Sequence, residues 1–487
     1  MKKFLNWQKQ FKVKTIMKNY VNKLYFFVLL ALLSACKISK NVETPNAALP
    51  ENFRNAATTA DTNSVADLPL DSFFTDASLQ RLLDSAIVKN YDMQVALKNI
   101  ESAQLLFKQT KFAYLPSANL NIGVGSSRPS DNSLNGLSAS SFLGTTHIED
   151  FTANVGLSWE ADIWGKIRNR NGRALAEYLQ TIEAKNAIQT NLVATVSQGF
   201  YNLLMLDAQL AIAQKNLALN DSTIKIFGFQ FTSGQVTSLA IQQAEAQRLT
   251  AAKLIPQLQQ SIILQENALS ILAGELPGRT QRDINLDQVS FPKTLSAGVP
   301  SAMLTRRPDI RRVELALDVA NANVGIAKAS MYPSLVITAS GGINSFKASN
   351  WFSIPASLFG LASGGITQPL FQRNLLKTQY EVSKVERERT VIQFRQSVLY
   401  AVGEVSDALV KIEKLKEQED IAATRVRTLE QAITNSNLLF QSGMANYLEV
   451  ITAQSNVLQG ELELVAIKRA QLSANVDLYR SLGGGWK

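Results

Sequence analysis

Covalent or metal-based chemistry needs nucleophiles, bases or soft ligands in company, and this chain offers one cysteine, Cys36, and one histidine, His147. His147 stands close to Glu149 and Asp150, but a single imidazole without a second soft ligand does not make a metal site. The methionines are scattered along the chain, which argues against a copper relay. No histidine lies near a candidate serine to form a nucleophile and base pair. The glycine loop ending in Lys-Ser/Thr that cradles phosphates is missing as well. The residues therefore predict no catalysis, no metal centre and no cofactor.

Cys36 has a different chemistry within reach. It closes Leu33-Ser34-Ala35-Cys36, directly after an apolar run from Leu24 to Leu33. About ten apolar residues suit the h-region of a secretory signal and are too few for a spanning helix. The pattern is a lipobox: small residues fit the signal peptidase, and the thiol then accepts a diacylglycerol. Residues 1–35 are accordingly read as a lipoprotein signal peptide and 36–75 as a lipidated, extended segment, with Met1 and Met17 both open as the start. The leader also explains the charge. Of 49 basic residues, seven (Lys2, Lys3, Lys9, Lys12, Lys14, Lys18 and Lys23) lie in it without a single acid, so 42 face 40 acids in the remainder. A net charge of +9 thus shrinks to +2, leaving no basic footprint for nucleic acid. One cysteine permits no intrachain disulfide. No later stretch approaches the roughly 20 apolar residues of a transmembrane helix.

Two charged spots remain. Arg306-Arg307-Pro308-Asp309 could bind a ligand, but Pro308 suits the first turn of a helix and Asp309 its dipole. The arginines then pair with neighbouring acids, and this structural reading is preferred. Glu449 is either a solvated helix-face acid or part of something larger.

What must position such residues is written twice. Tyr-Leu-Pro-Ser at 114–117 resembles Met-Tyr-Pro-Ser at 331–334, 217 residues later, and the same step carries Asp92 to Asp309. Ile163-Trp164 matches Leu370-Phe371, Ser233-Gly234 matches Ser442-Gly443, Leu239 matches Leu448, and Gly274 matches Gly483, at steps of 207 to 209. Each copy reads helix, two strands, long helix, tight turn, helix. The first spans 76–274, with strands at about 116–126 and 150–161 and a tip at about 232–238. The second spans 301–482, with strands at about 333–343 and 357–368 and a tip at about 441–447. Residues 275–300 form a linker and 483–487 a tail.

The strands show period two. Ala118, Leu120, Ile122 and Val124 alternate with polar or tiny residues, as do Phe151, Ala153, Val155, Leu157 and Trp159. Leu335, Ile337, Ala339 and Ile343 repeat the pattern more weakly, and 358–367 is glycine-rich and ambiguous. About ten residues is the length of a tilted transmembrane β-strand. Ser/Asn/Gly-rich loops at 126–147 and 344–356 suit an aqueous exterior. Four strands cannot close a barrel, and open edges in lipid leave backbone groups unsatisfied. Subunits must pool them, and three copies give about twelve strands.

From Gln372 to Phe440 there is no proline, and the only glycine is Gly403. This predicts on the order of 100 Å of helix. Val391, Val398, Val405 and Ile412 form one heptad track; Phe394, Ala401, Ala408 and Leu415 form another. A stutter follows through Ala422, Val426, Leu429 and Ile433. Lys166 to Phe231 is the equivalent stretch in the first copy. Each long helix ends at Ser-Gly, where glycine suits a left-handed cap, and Pro256 is expected to kink the helix that returns in the first copy. Six such hairpins from three subunits would make a twelve-helix hollow cylinder.

With these features in hand, the sequence resembles the TolC-type outer-membrane efflux family, and within it the OprM/NodT-like lipoprotein branch. The carrying residues are Leu304-Thr305-Arg306-Arg307-Pro308-Asp309-Ile310, Asn267 to Gly274 with Pro277, Tyr332-Pro333-Ser334, and Gly443 to Val450. The resemblance implies a mostly α protein with a membrane β-barrel. It implies a homotrimer with a 12-stranded barrel in the outer membrane, a 12-helix periplasmic α-barrel and an α/β belt to which 275–300 contributes. It further implies a passive exit duct for small molecules or metal ions, a periplasmic adaptor docked on the tips (Ser233, Gly234, Ser442, Gly443), and an inner-membrane transporter, RND-type by preference. Glu449 falls where the family places an acid of its entrance ring, whereas Ala445 and Thr452 stand where acids are common. The alternatives are a duct for type I protein secretion and a non-conducting coiled-coil surface lipoprotein.

Overall fold

The computed structural model describes residues 49, 50, 52–54, 64–291 and 296–487. Cys36, the signal segment and both candidate start sites lie outside the described residues. Helices dominate. After a single helical turn at Leu70–Phe73, the first copy contains α1 (Ala77–Lys89), α2 (Tyr91–Lys111), β1 (Ser117–Ser127), β2 (Ile148–Ala161), α3 (Lys166–Thr232) and α4 (Ser238–Leu272). The second contains α5 (Pro300–Arg306), α6 (Pro308–Ala329), β3 (Ser334–Ser345), β4 (Leu358–Thr367), α7 (Leu375–Gln441) and α8 (Tyr447–Ser481). Both long helices have 67 residues and both returning helices have 35. At 1.5 Å per residue the long ones measure about 100 Å.

The chain divides into two units. One, built from 103–178 and 316–391, holds all four strands in one antiparallel sheet of order β1-β2-β3-β4. The pairings place Leu120 opposite Val155, Val155 opposite Gly341, and Gly341 opposite Gly360. Because side chains alternate across a strand, register decides which set shares a face. Here it gathers Ala118, Leu120, Ile122 and Val124 with Phe151 to Ala161 and Leu335 to Ile343, taking every second residue. Leu120, Ile122 and Val124 are nevertheless exposed, as are Leu358 and Ile366 on the same face of β4. The opposite face carries Asn119, Asn121, Asn154, Ser158, Thr338 and Ser340. Between β1 and β2 runs a short helix, Leu134–Ser138, continued by one π-turn at Ala139–Leu143, within a stretch whose composition suggested only loop.

The other unit, 45–102, 179–315 and 392–487, holds most of both helical hairpins and the segment between the copies. Phe394, Val398, Ala401, Val405 and Ala408 are buried along α7, so both heptad tracks mark the packed face. Ala422 and Val426 continue it past the stutter. Helix α4 passes through Pro256 without interruption. Phe73, Phe74, Leu79, Tyr201, Leu269, Met303 and Tyr479 are among the most buried side chains. Phe73 stacks on Tyr479 at 4.0 Å between centroids, and the Tyr479 hydroxyl donates to Leu68 O at 2.8 Å. Burial pushes that phenol up to about 12. Between α4 and α5, the described residues hold one 3-10 turn, Leu286–Gln288, and no strand.

Candidate functional site: sheet edges, hairpin tips and helix joints

Each copy breaks its first helix pair at one residue, Asn90 or Arg307, again 217 apart. Asn90 Oδ1 accepts from the N–H groups of Asp92 and Met93 at 2.9 and 3.2 Å, capping α2, while its Nδ2 donates to Leu272 O at 3.0 Å. Arg307 Nη1 donates to Ser481 O at 3.0 Å, the equivalent carbonyl of the second copy. Its other guanidinium nitrogens reach Asp309 at 2.7 and 3.1 Å and Glu404 of α7 at 2.8 Å. Burial opposes ionisation of Asp309, yet the hydrogen bond and charge of Arg307 prevail and hold the carboxyl below its ordinary value. Arg306 pairs with Asp67 at 2.6 Å. Pro308 is the first residue of α6. Within the chain, this motif builds a joint. Each joint is sealed by a glycine with positive φ: a Cβ on Gly274 would lie 2.4 Å from Lys89 O, and one on Gly483 2.8 Å from Arg306 O.

At the far end of the hairpins, Ser233-Gly234 and Ser442-Gly443 close α3 and α7 in the same way. Gly234 N donates to Phe231 O and Gln235 N to Gln230 O; Gly443 N donates to Phe440 O and Met444 N to Leu439 O. With φ of +75° and +73° at the glycines, these are paired Schellman caps. The two tips are held side by side. Phe227 meets Phe440 at 5.2 Å and Tyr447 at 6.2 Å between centroids, around a small core with Ala240 and Ala244. Asn446 caps α8 by accepting from Leu448 N and Glu449 N at 2.9 and 3.2 Å. Glu449 therefore sits in the first turn, exposed, where a carboxylate also favours the dipole.

The seam between α3 and α8 was not foreseen. Asn216, Asn220 and Thr223 lie on one buried face of α3. Gln454 of α8 is fully buried and donates from Nε2 to Thr223 Oγ1 at 2.7 Å. Lys215 pairs with Glu461 and Gln198 bonds Asp477 along the same pair of helices. The i, i+4, i+7, i+11 spacing of Asn216, Asn220, Thr223 and Phe227 was the available signal, since it puts three polar residues on the helix face that Phe227 marks as apolar. In the segment between the copies, Arg282 bridges Asp207 and Glu266.

The sheet ends with β1 and β4 unpaired on their outer sides. At the start of the strands, Trp159 Nε1 donates to Tyr114 O at 2.9 Å and Trp164 Nε1 to Pro333 O at 2.7 Å. Phe371, the counterpart of Trp164, is exposed. Among the described residues, no group of His, Cys, Asp and Glu could hold a metal ion, and no helix is long and apolar enough to cross a membrane.

The sequence matches the family described as Outer membrane efflux protein over residues 82–275 and 299–484, one stretch per copy. The chain belongs to that family. Outer membrane efflux proteins are channels rather than an enzyme class, and this one is an outer-membrane protein of efflux with the mostly helical, TolC-like fold. It is similar to the cation efflux system protein CusC of Escherichia coli, with 28% identity over 469 residues, 96% of this chain and 99% of the relative. It is also similar to the toluene efflux pump outer membrane protein TtgC of Pseudomonas putida, with 27% identity over 463 residues, 93% of this chain and 94% of the relative. Among solved structures, the open state of the Neisseria gonorrhoeae MtrE outer membrane channel superposes with a TM-score of 0.82 at 25% identity, covering 93% of this chain and 99% of that one.

Proposed function

We propose that three copies of this chain assemble into a passive exit duct, with a 12-stranded barrel in the outer membrane and a 12-helix barrel in the periplasm. The carrying observation is the sheet: four strands with an exposed apolar face and two unpaired edges. In lipid such edges must pair, and identical subunits offer the partners. The duct receives its cargo from an inner-membrane transporter through a periplasmic adaptor, which docks on the tips at Ser233-Gly234 and Ser442-Gly443. Their side-by-side packing around Phe227 supports a single docking platform for each subunit. Glu449, exposed in the first turn after the second tip, contributes an acid to the periplasmic entrance. Cys36 carries the covalent lipid that anchors the N-terminus.

Small molecules or metal ions are the cargo class. Relatives named for cation efflux and for toluene efflux match this chain almost equally well, as expected for a wide lumen that reads little chemistry. Single-channel recording in planar bilayers tests the reading: purified protein of trimer mass should give stable, ohmic steps. A monomer without conductance would instead leave a coiled-coil surface lipoprotein. Mass spectrometry of the mature N-terminus checks the lipid on Cys36.

A further inference from the structure

Resting on the trimeric reading above, we infer the register in which β4 of one subunit pairs with β1 of the next: Thr367 opposite the partner's Asn119, with Ile366 opposite the partner's Leu120 and Ser363 opposite the partner's Gly123. The template lies inside the chain. The β2–β3 pair joins the end of the first copy to the start of the second, with Glu160 opposite Val336 and Trp159 opposite Ile337. The junction between subunits joins the end of the second copy to the start of the first, so the same interface recurs there. Trp164 and Phe371 are 207 apart, and Pro116 and Pro333 are 217 apart. Those steps carry Glu160 to Thr367, and Val336 back to Asn119.

Three observations support the transfer. Facing is preserved, because Leu120 and Ile366 both belong to the apolar face while Asn119 and Thr367 both belong to the polar one. A slip of one residue would cross the faces all along the seam. The apolar part of the joint at the foot of the strands also transfers, although Phe371 has no N–H to repeat the hydrogen bond of Trp164. Trp164 bonds Pro333 O and its ring lies 5.0 Å from Tyr332. The counterparts are Phe371 against the partner's Leu115 and Pro116. Phe371 and Leu370 are 87% and 92% exposed in one chain and Leu115 60%, so the seam covers apolar surface that a single chain leaves bare. Closure is the third. Following the pairings from Leu120 through Val155, Gly341 and Gly360 to the partner's Ser126 advances six residues per subunit, a shear of ~18 for three copies and a strand tilt of about 46°, against the 35–45° of membrane barrels. The hairpin registers alone would carry β2 two residues further along β4, setting Thr367 against the partner's Asn121. That choice demands about 54° of tilt and moves Phe371 off its counterpart joint.

The test is cysteine pairing in the full-length protein in its native outer membrane. The double variants Thr367→Cys with Asn119→Cys, Thr367→Cys with Asn121→Cys, and Thr367→Cys with Ser117→Cys are oxidised and run without reductant, beside the single variants. All four sites lie on the polar face, within reach of an aqueous oxidant. The Asn119 pair is expected to give covalent dimers and trimers at least tenfold more abundantly than the other two pairs. Preferential cross-linking of the Asn121 or Ser117 pair overturns the register and leaves the trimer standing. Absence of any cross-link in samples of trimer mass also overturns it. Monomer mass for the wild-type protein overturns the reading beneath.

Discussion

Asn90 and Arg307 stand at equivalent breaks in the two copies, and each reaches the last carbonyl of its own returning helix, Leu272 O or Ser481 O. The neutral residue caps a helix while it does so. The charged one needs counter-charge and takes it from Asp309 and from Glu404 on the long helix. The first copy has Thr195 at the position of Glu404, bonded to its own helix through Asn191 O. Duplicated geometry has thus been kept while the chemistry diverged, and only the second joint ties a third helix. The strand-to-helix corner diverges too. Gly165 turns it in one residue with φ of +75°, whereas the second copy spends Gln372, Arg373 and Asn374, with φ of +49° and +62° at the last two. Asparagine tolerates that region; arginine does so at a steric cost.

The returning helices differ most at a single position. They are equally long, but α4 carries Pro256 where α8 has Val465. Val465→Pro removes a helical hydrogen bond and adds a clash, and should destabilise by about 3 kcal/mol or more. Pro256→Ala should move the melting temperature the other way, by less, because α4 already runs through the proline without interruption. Equal and opposite shifts would mean that the two hairpins carry the same packing.

Next in size comes the joint. Arg307→Ala strands Asp309 and Glu404, both partly solvated, and should cost about 2–3 kcal/mol in thermal or denaturant unfolding. Asn90→Ala loses a cap and one carbonyl bond, about 1 kcal/mol. If the two cost the same, Glu404 contributes nothing to the second joint. Smaller still, Arg373→Gly should raise stability by roughly 1 kcal/mol, since glycine adopts the left-handed corner freely. Asn374→Gly should give less.

The gentlest probe is pH. Asp309 is held below its ordinary 3.8 despite burial, chiefly by Arg307; Glu275 is held below 4.5 by hydrogen bonds from Lys89 and Ser85 and the Lys89 charge. A carboxyl depressed in the fold stabilises fully above its unfolded pKa and loses that contribution as pH falls through the folded one. Unfolding midpoints should therefore fall as pH drops below about 4.5. Arg307→Ala should flatten the part of that slope near and below 3.8, and Glu275→Gln should barely change it, as its pair is half-exposed. An unchanged slope in Arg307→Ala would show that Asp309 draws its depression from elsewhere.

Much of the fold could be read from the chain because its signals are local. The alternation after Pro116 lies in β1, the heptad tracks mark the buried face of α7, and proline-free stretches became helices of 67 residues. β4 was harder to read because Phe359 and Leu361 fall on the polar face and glycine fills much of the rest, so hydropathy alone shows no period. The helix within the β1–β2 loop was illegible because serine, asparagine and glycine favour turns as readily. Of the site, the Ser-Gly tips and the Pro308 helix start were legible in their own residues, while the partners of Arg307 were not, since Glu404 is remote in sequence.

The alternation and the heptads depend on neighbours a few residues apart, and the duplication on recurring motifs, so all three are written in the chain. The ends of α3, α4, α7 and α8 are equally local, each closed by a glycine in the left-handed region. Packing settled which helix Arg307 grips, that Gln454 is buried against Thr223, and that both tips share the core around Phe227. Those contacts join residues up to 231 positions apart, and at such distances pairing is set by how the helices pack rather than by any pattern along the chain.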